Sequence, residues 1–216
     1  MNRLQIINQV LRKLRENEVS VVANDTYATM LSDFLNDVKR EVEDAWDWTN
    51  LRQIITVTTA ASTSQYSLTG FGKRGRIKQA YNDTDDNFMS QVHQQYINYQ
   101  NYLSTNNVND SPEFYRVRGV DGSGDMQIDV YPTPDAVESL RFDCVVPQAD
   151  LSDDTTELLV PDYPVMLGLY ARAVSERGED GGINFNEADM AYQKALSDAI
   201  AQDGGRAAED LMWRVV

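Results

Sequence analysis

The chain has 216 residues, of which 42% are hydrophobic and 25% charged, and its formal net charge is −15. That length and balance suit one folded domain with a sizeable core, or a helical core carrying a β insertion, and they exclude a disordered chain. No apolar run approaches the ~20 residues a membrane span needs. Met1-Asn2-Arg3-Leu4-Gln5 enters an amphipathic pattern directly, without a signal peptide's apolar stretch, so a product made in the cytoplasm with no membrane association is expected.

The acids are unevenly spread. Residues 1–149 carry 20 acids and 14 bases, and residues 150–216 carry 14 acids and 5 bases. Such a surface repels phosphate backbones, which argues against a protein that grips DNA but not against one that DNA slides past. Solubility alone explains the charge equally well.

In chain order, Leu4, Ile7, Val10 or Leu11, and Leu14 recur at helical spacing and predict a first helix. Asn24 or Asp25 can cap a second, with an apolar stripe of Tyr27, Leu31, Phe34, Val38, Val42 and Ala45. Lys39, Arg40, Glu41 and Glu43 are expected in solvent. Trp46 and Trp48, at i and i+2, cannot share a helical face, so the helix is expected to end there.

The middle is β-rich. Gln53–Thr59 is dense in β-branched residues, and Tyr66-Ser67-Leu68 and Ile77–Tyr81 resume extended pattern. Asn82–Asp86 reads as a turn, and Val92, Tyr96, Tyr99 and Leu103 mark a helix near 90–103. Phe114–Arg118 and Met126–Tyr131 read as paired strands around the turn Asp121–Asp125. A further strand covers 139–146. On it Leu140, Phe142, Cys144 and Val146 share one face, so the single cysteine reads as a buried, inert thiol.

Helical pattern then returns. Asp162 can cap a helix with Pro164 in its first turn and Val165, Leu169, Ala173 and Val174 inward. A last helix from about Asn186 carries Ala188, Ala191, Ala195 and Ala199 at a spacing that allows close helix approach, and Gly204-Gly205 stop it. The expected fold class is α+β: a helical bundle of N- and C-terminal helix pairs (1–50 and 158–204), an inserted β-rich domain (51–157) and a C-terminal tail (205–216).

Few residues suggest chemistry. His93 is the only histidine, and nothing nearby marks a nucleophile; a surface role is the plain reading, with a hydrolase using His93 as the remote alternative. Asp121-Gly122-Ser123-Gly124-Asp125 lacks the glycine position and terminal Glu of a calcium loop. No phosphate loop, metal cluster or cofactor motif occurs. Lys73, Arg74 and Arg76 form the main basic run, suited either to contact with a neighbouring subunit or partner or to a solvated loop. After Gly204-Gly205, the segment Leu211-Met212-Trp213-Arg214-Val215-Val216 is unusually apolar for a disordered tail. Trp and Arg anchor interfaces, so the segment reads as a docking strip, the alternative being that it folds back on its own body.

Trp46-Asp47-Trp48, the Thr-rich Leu51–Thr58 strand, Tyr66-Ser67-Leu68, Val130-Tyr131-Pro132-Thr133-Pro134, Leu140-Arg141-Phe142, Val160-Pro161-Asp162-Tyr163-Pro164 and Tyr192–Leu196 follow one another in an order that spans nearly the whole chain. In that arrangement the sequence resembles the adaptor proteins of tailed-phage necks, including tail tubular protein A of short-tailed phages. The resemblance implies a non-enzymatic virion protein: a helical bundle with an inserted β domain, assembled as a ring of twelve copies. One face of the ring would dock on the portal and the other on a tail nozzle or tail-tube protein, with DNA passing through the lumen unbound. It further implies that residues 211–216 reach into portal clefts. A collar or baseplate position is the alternative within the virion.

Overall fold

A computed structural model describes residues 1–103, 109–178 and 183–206. Among them the elements run α1 (Arg3–Lys13), α2 (Thr26–Ala45), β1 (Arg52–Thr58), β2 (Gln65–Ser67), β3 (Arg76–Asn82), β4 (Asn87–Gln91), α3 (Gln94–Leu103), β5 (Phe114–Val120), β6 (Met126–Tyr131), β7 (Ser139–Val145), α4 (Asp162–Arg177) and α5 (Ile183–Gly204). The fold is α+β. The chain divides into two compact units, one formed by Met1–Leu51 with the described residues from Gln148 onward, the other by Arg52–Pro147. The second crossing thus falls between Pro147 and Gln148 rather than after 157. Residues 148–151 group with the helices because α2 holds them: Lys39 donates to the carbonyls of Gln148 and Ala149, and Asn36 accepts from the Leu151 N–H.

In the helical unit, α1 begins at a reciprocal cap. The Asn2 side chain accepts from the Gln5 N–H, and the Gln5 side chain accepts from the Asn2 N–H. Ile6, Ile7, Val10 and Leu11 are buried, and Leu4 and Leu14 are half-buried at the rim. Asp25 caps α2 by accepting from the Ala28 N–H at 2.7 Å. The buried apolar stripe of α2 is Ala28, Leu31, Leu35, Val38 and Val42; Ala28 and Leu35 take the places expected of Tyr27 and Phe34, which are half-buried, and the expected Ala45 is exposed.

One expectation about α2 is reversed. Lys39 and Glu43 are not solvated but fully buried. The Lys39 ammonium donates to Glu43 Oε1 at 3.0 Å, to Gln148 O at 2.6 Å and to Ala149 O at 3.2 Å, while Glu43 Oε1 also accepts from the Gln148 N–H at 3.1 Å. The charges survive burial because each is paired and hydrogen-bonded.

Helix α4 packs against α1, α2 and α5. Gly168 makes this possible: a Cβ there would lie 2.6 Å from Val38 Cγ1 and 3.1 Å from the Tyr192 ring. The helix ends on Gly178 in the left-handed conformation, φ 60°. On α5, which begins at Ile183 rather than near 186, Ala188, Tyr192 and Ala195 are buried, whereas Ala191 faces solvent. Its last turn carries Asp203, which accepts from Trp46 Nε1, the Thr49 N–H and the Thr49 hydroxyl. That acid pins the turn after α2, where Trp48 is buried with its indole N–H on the Val42 carbonyl at 2.6 Å.

The β unit is one seven-stranded sheet in the order β1-β7-β3-β4-β5-β6-β2, curled around a single core. Every pairing is antiparallel except β4 with β5, which α3 connects. Inward-facing Val57, Leu140, Phe142, Cys144, Ala80, Met89, Tyr115, Ile128 and Val130 fill it, closed by Leu68 and Phe71 from the β2–β3 connection. Strand β4 was not expected, because Asn87, Ser90 and Gln91 carry no β signal. Helix α3 buries Ile97, whereas Tyr96 and Tyr99, expected as its apolar stripe, are exposed.

Candidate functional site

The candidate docking strip Leu211–Val216 lies outside the described residues. The basic run sits in the β2–β3 connection. Gly72, at φ +67°, donates its N–H to Asp125 Oδ1 at 3.1 Å, and the Leu68 N–H donates to Met126 O at 2.8 Å. A Cβ on Gly75 would collide with the Phe71 ring at 2.5 Å and its carbonyl at 2.7 Å. The glycines therefore serve the tight fold of this loop. Lys73 is exposed and Arg74 and Arg76 half-buried. Arg76 opens β3 opposite Val145, which on its other side pairs with Arg52. The fold thus gathers Arg52 with the expected Lys73, Arg74 and Arg76 at one end of the sheet.

The acidic turn is built on Asp121. Its carboxylate accepts from the Ser123 N–H at 2.8 Å and the Asp125 N–H at 2.9 Å. The bond from Asp125, with others from the Ser67 hydroxyl and the Ser123 and Gly124 amides, holds its pKa below the ordinary carboxylate value. Those bonds make it a turn-closing residue. Among the described residues no group of three or more His, Cys, Asp or Glu is placed to hold a metal ion. His93 is exposed just before α3, and its Nδ1 accepts from the Gln95 N–H at 3.2 Å, a helix-start contact. Cys144 lies in the β core, where burial pushes its thiol up to about 12.

Two exposed faces stand out instead, and periodicity alone does not reveal either. The outer face of β1, β7 and β3 carries Arg52, Ile54, Asp143, Gln79, Arg141 and Tyr81, with Phe88 of β4 beside them. Ile54 is 65% and Phe88 63% exposed, high values for large apolar side chains on a sheet. The Arg141 guanidinium lies over the Tyr81 ring at 5.0 Å and pairs with Asp83 at 3.4 Å, and Phe88 meets Tyr81 edge-on. A cleft of about 610 Å³ is lined by Arg52, Gln53, Ile54, Lys78, Gln79, Asp143 and Cys144. The second face is on α5, where Glu187, Met190, Ala191, Lys194, Asp198 and Ala201 are all exposed, Met190 to 73%. Arranged at 100° per residue they form one stripe, turned about 120° round the helix from the buried Ala188, Tyr192 and Ala195. Rigid elements presenting aromatic, arginine and aliphatic side chains to solvent are the composition of protein–protein contact surfaces.

No helix among the described residues is long and apolar enough to cross a membrane. No curated protein matches the sequence. The family model described as SU10 adaptor protein matches residues 1–215, in effect the whole chain. The chain belongs to the SU10 adaptor protein family and is a structural head–tail adaptor of a phage virion.

Proposed function

We propose that the protein works as one copy in a twelve-membered ring that joins the portal to the tail, as tail tubular protein A does in short-tailed phages. The match to the adaptor family over residues 1–215 carries this reading. In it, the N- and C-terminal helix pairs form one bundle, and the β unit is the insertion that faces the nozzle or tail-tube protein. The net charge of −15 supports a lumen along which DNA moves without sticking. Leu211, Met212, Trp213, Arg214, Val215 and Val216 form the strip that enters portal clefts, and Lys73, Arg74 and Arg76 meet an acidic patch on a partner.

The reading is tested by measuring binding of the full chain and of a chain ending at residue 205 to purified portal. The full chain is expected to bind, and the shortened one to bind at least ~10-fold more weakly while keeping its circular dichroism, since each ~1.4 kcal/mol of lost contact is tenfold. Equal affinities would remove the tail from the interface. No binding by either would remove the portal as partner.

A further inference from the structure

We propose that the outer face of β1 and β7 docks against the exposed stripe of α5 on a second copy of this chain, so that neighbouring copies meet head to tail. The inference rests on the adaptor-ring reading and names the surfaces that build the ring.

The charge order on the two faces carries the argument. Along the β1 and β7 rows of the sheet face, Arg52 comes first, Asp143 next, on the row it shares with Ile54, and then Arg141, on the row of Thr56; Lys78 of β3 lies across the cleft from Ile54, and Asp83 pairs with Arg141. Each step spans two strand residues, about 6.7 Å. The order is plus, minus, plus. Along the α5 stripe come Glu187, Lys194 and Asp198: minus, plus, minus. Those steps are seven and four helical residues, about 10 Å and 6 Å. The two triplets are opposite at every position, and their total lengths, about 13 Å and 16 Å, differ by less than the reach of a Lys or Arg side chain.

Each face also carries an apolar group within the span of its charges. Met190 lies on α5 between Glu187 and Lys194, and Ile54 lies on the sheet between Arg52 and Arg141, at the cleft of about 610 Å³. An unbranched, adaptable thioether suits such a cleft. Ala191 and Ala201 keep the helix stripe low, so its backbone can come close to the sheet. The sheet face and the α5 face are different surfaces, so the contact is heterologous. Repeated by a rotation that closes, it generates a ring; an isologous contact would stop at a dimer.

Heterologous pairing gives a distinctive test. One variant reverses the sheet face (Arg52→Glu with Arg141→Glu), the other the helix face (Glu187→Arg with Asp198→Arg). Self-association of each is followed by sedimentation velocity and chemical cross-linking with mass spectrometry, and folding by circular dichroism. Wild-type protein is expected to cross-link between β1 or β7 and α5. Each variant alone is expected to associate on the order of 100-fold more weakly, because like charges then face each other. An equimolar mixture is expected to recover association, since the reversed sheet of one meets the reversed helix of the other and the remaining faces are native. Failure of the mixture to recover, undiminished association of either variant, or absence of wild-type association overturns the proposal. A copy seen in the neck touching its neighbours through other surfaces would overturn this contact and leave the adaptor reading intact, whereas absence from the neck would sink that reading itself.

Discussion

At the residue scale the least expected feature is the charge pair inside the helical unit. Lys39 and Glu43 stand one helical turn apart, a spacing that on a surface helix is worth a few tenths of a kcal/mol. Here both are fully buried and together hold the backbone at Gln148 and Ala149. Replacing Lys39 with Met leaves a buried carboxylate without its cation and is expected to cost about 3–5 kcal/mol, read from urea unfolding. Lys39→Met with Glu43→Leu is expected to recover most of that loss, because a buried ion pair is often replaceable by apolar side chains. Equal destabilisation of the two variants would contradict this account of the pair. Cys144 provides a second residue-level check. With its thiol pushed up to about 12 and its sulfur buried, it is expected to resist alkylation at pH 8 until the protein is unfolded. Rapid labelling of native protein would contradict the core placement. Asp121 supplies the pH dependence. Its folded carboxyl titrates below the ordinary value of 3.8, so its contribution to stability is complete above that value and is lost as the pH falls through the folded pKa. Asp121→Asn is expected to flatten the acid limb of the stability profile.

At the scale of elements, helix ends and close approaches set the geometry. An acid in the last turn of a helix opposes the helix dipole, yet Asp203 occupies that place on α5 because three donors from Trp46 and Thr49 converge on it. Asp203→Ala is expected to cost about 2–4 kcal/mol and to alter Trp46 emission, as hydrogen bonds to charged groups contribute roughly 1.5–3 kcal/mol. Gly168→Ala is expected to destabilise by about 1–3 kcal/mol, because its Cβ has no room between α2 and α5. The sequence foretold much at this scale. The paired strands around Asp121 and the inward row of β7 follow from period and turn chemistry; the helix from Asp162 follows from its period, but Asp162 is not its cap, because Pro161 stands at the N-cap and no side chain caps it. What was not legible has physical causes. The burial of Lys39 and Glu43 depends on partners more than a hundred residues away, which charge patterning on one helix cannot reveal. Strand β4 is polar and short, and it forms because β3 and β5 offer it edges. The stripe near α3 was assigned to Val92, Tyr96, Tyr99 and Leu103, but Tyr96 and Tyr99 are exposed, and among the described side chains of the helix the buried one is Ile97.

At the scale of the whole molecule, a sequence poor in catalytic residues turns out to present two rigid faces of contact-forming side chains. Ile54 read as one more β-branched residue in a strand, and Ala191 as one more small core residue; only register and helix phase show that both are turned to solvent. The family resemblance was legible because motif order survives where composition says little, and the match over residues 1–215 bears out the head–tail adaptor. The account therefore stands on where the protein sits in the particle. Electron cryomicroscopy of the intact virion neck tests it most directly. The account predicts density for this α+β chain as a closed ring between portal and tail, with DNA passing through its centre. A neck resolved to side chains from which this chain is absent, or in which it lies apart from the DNA path, would contradict it.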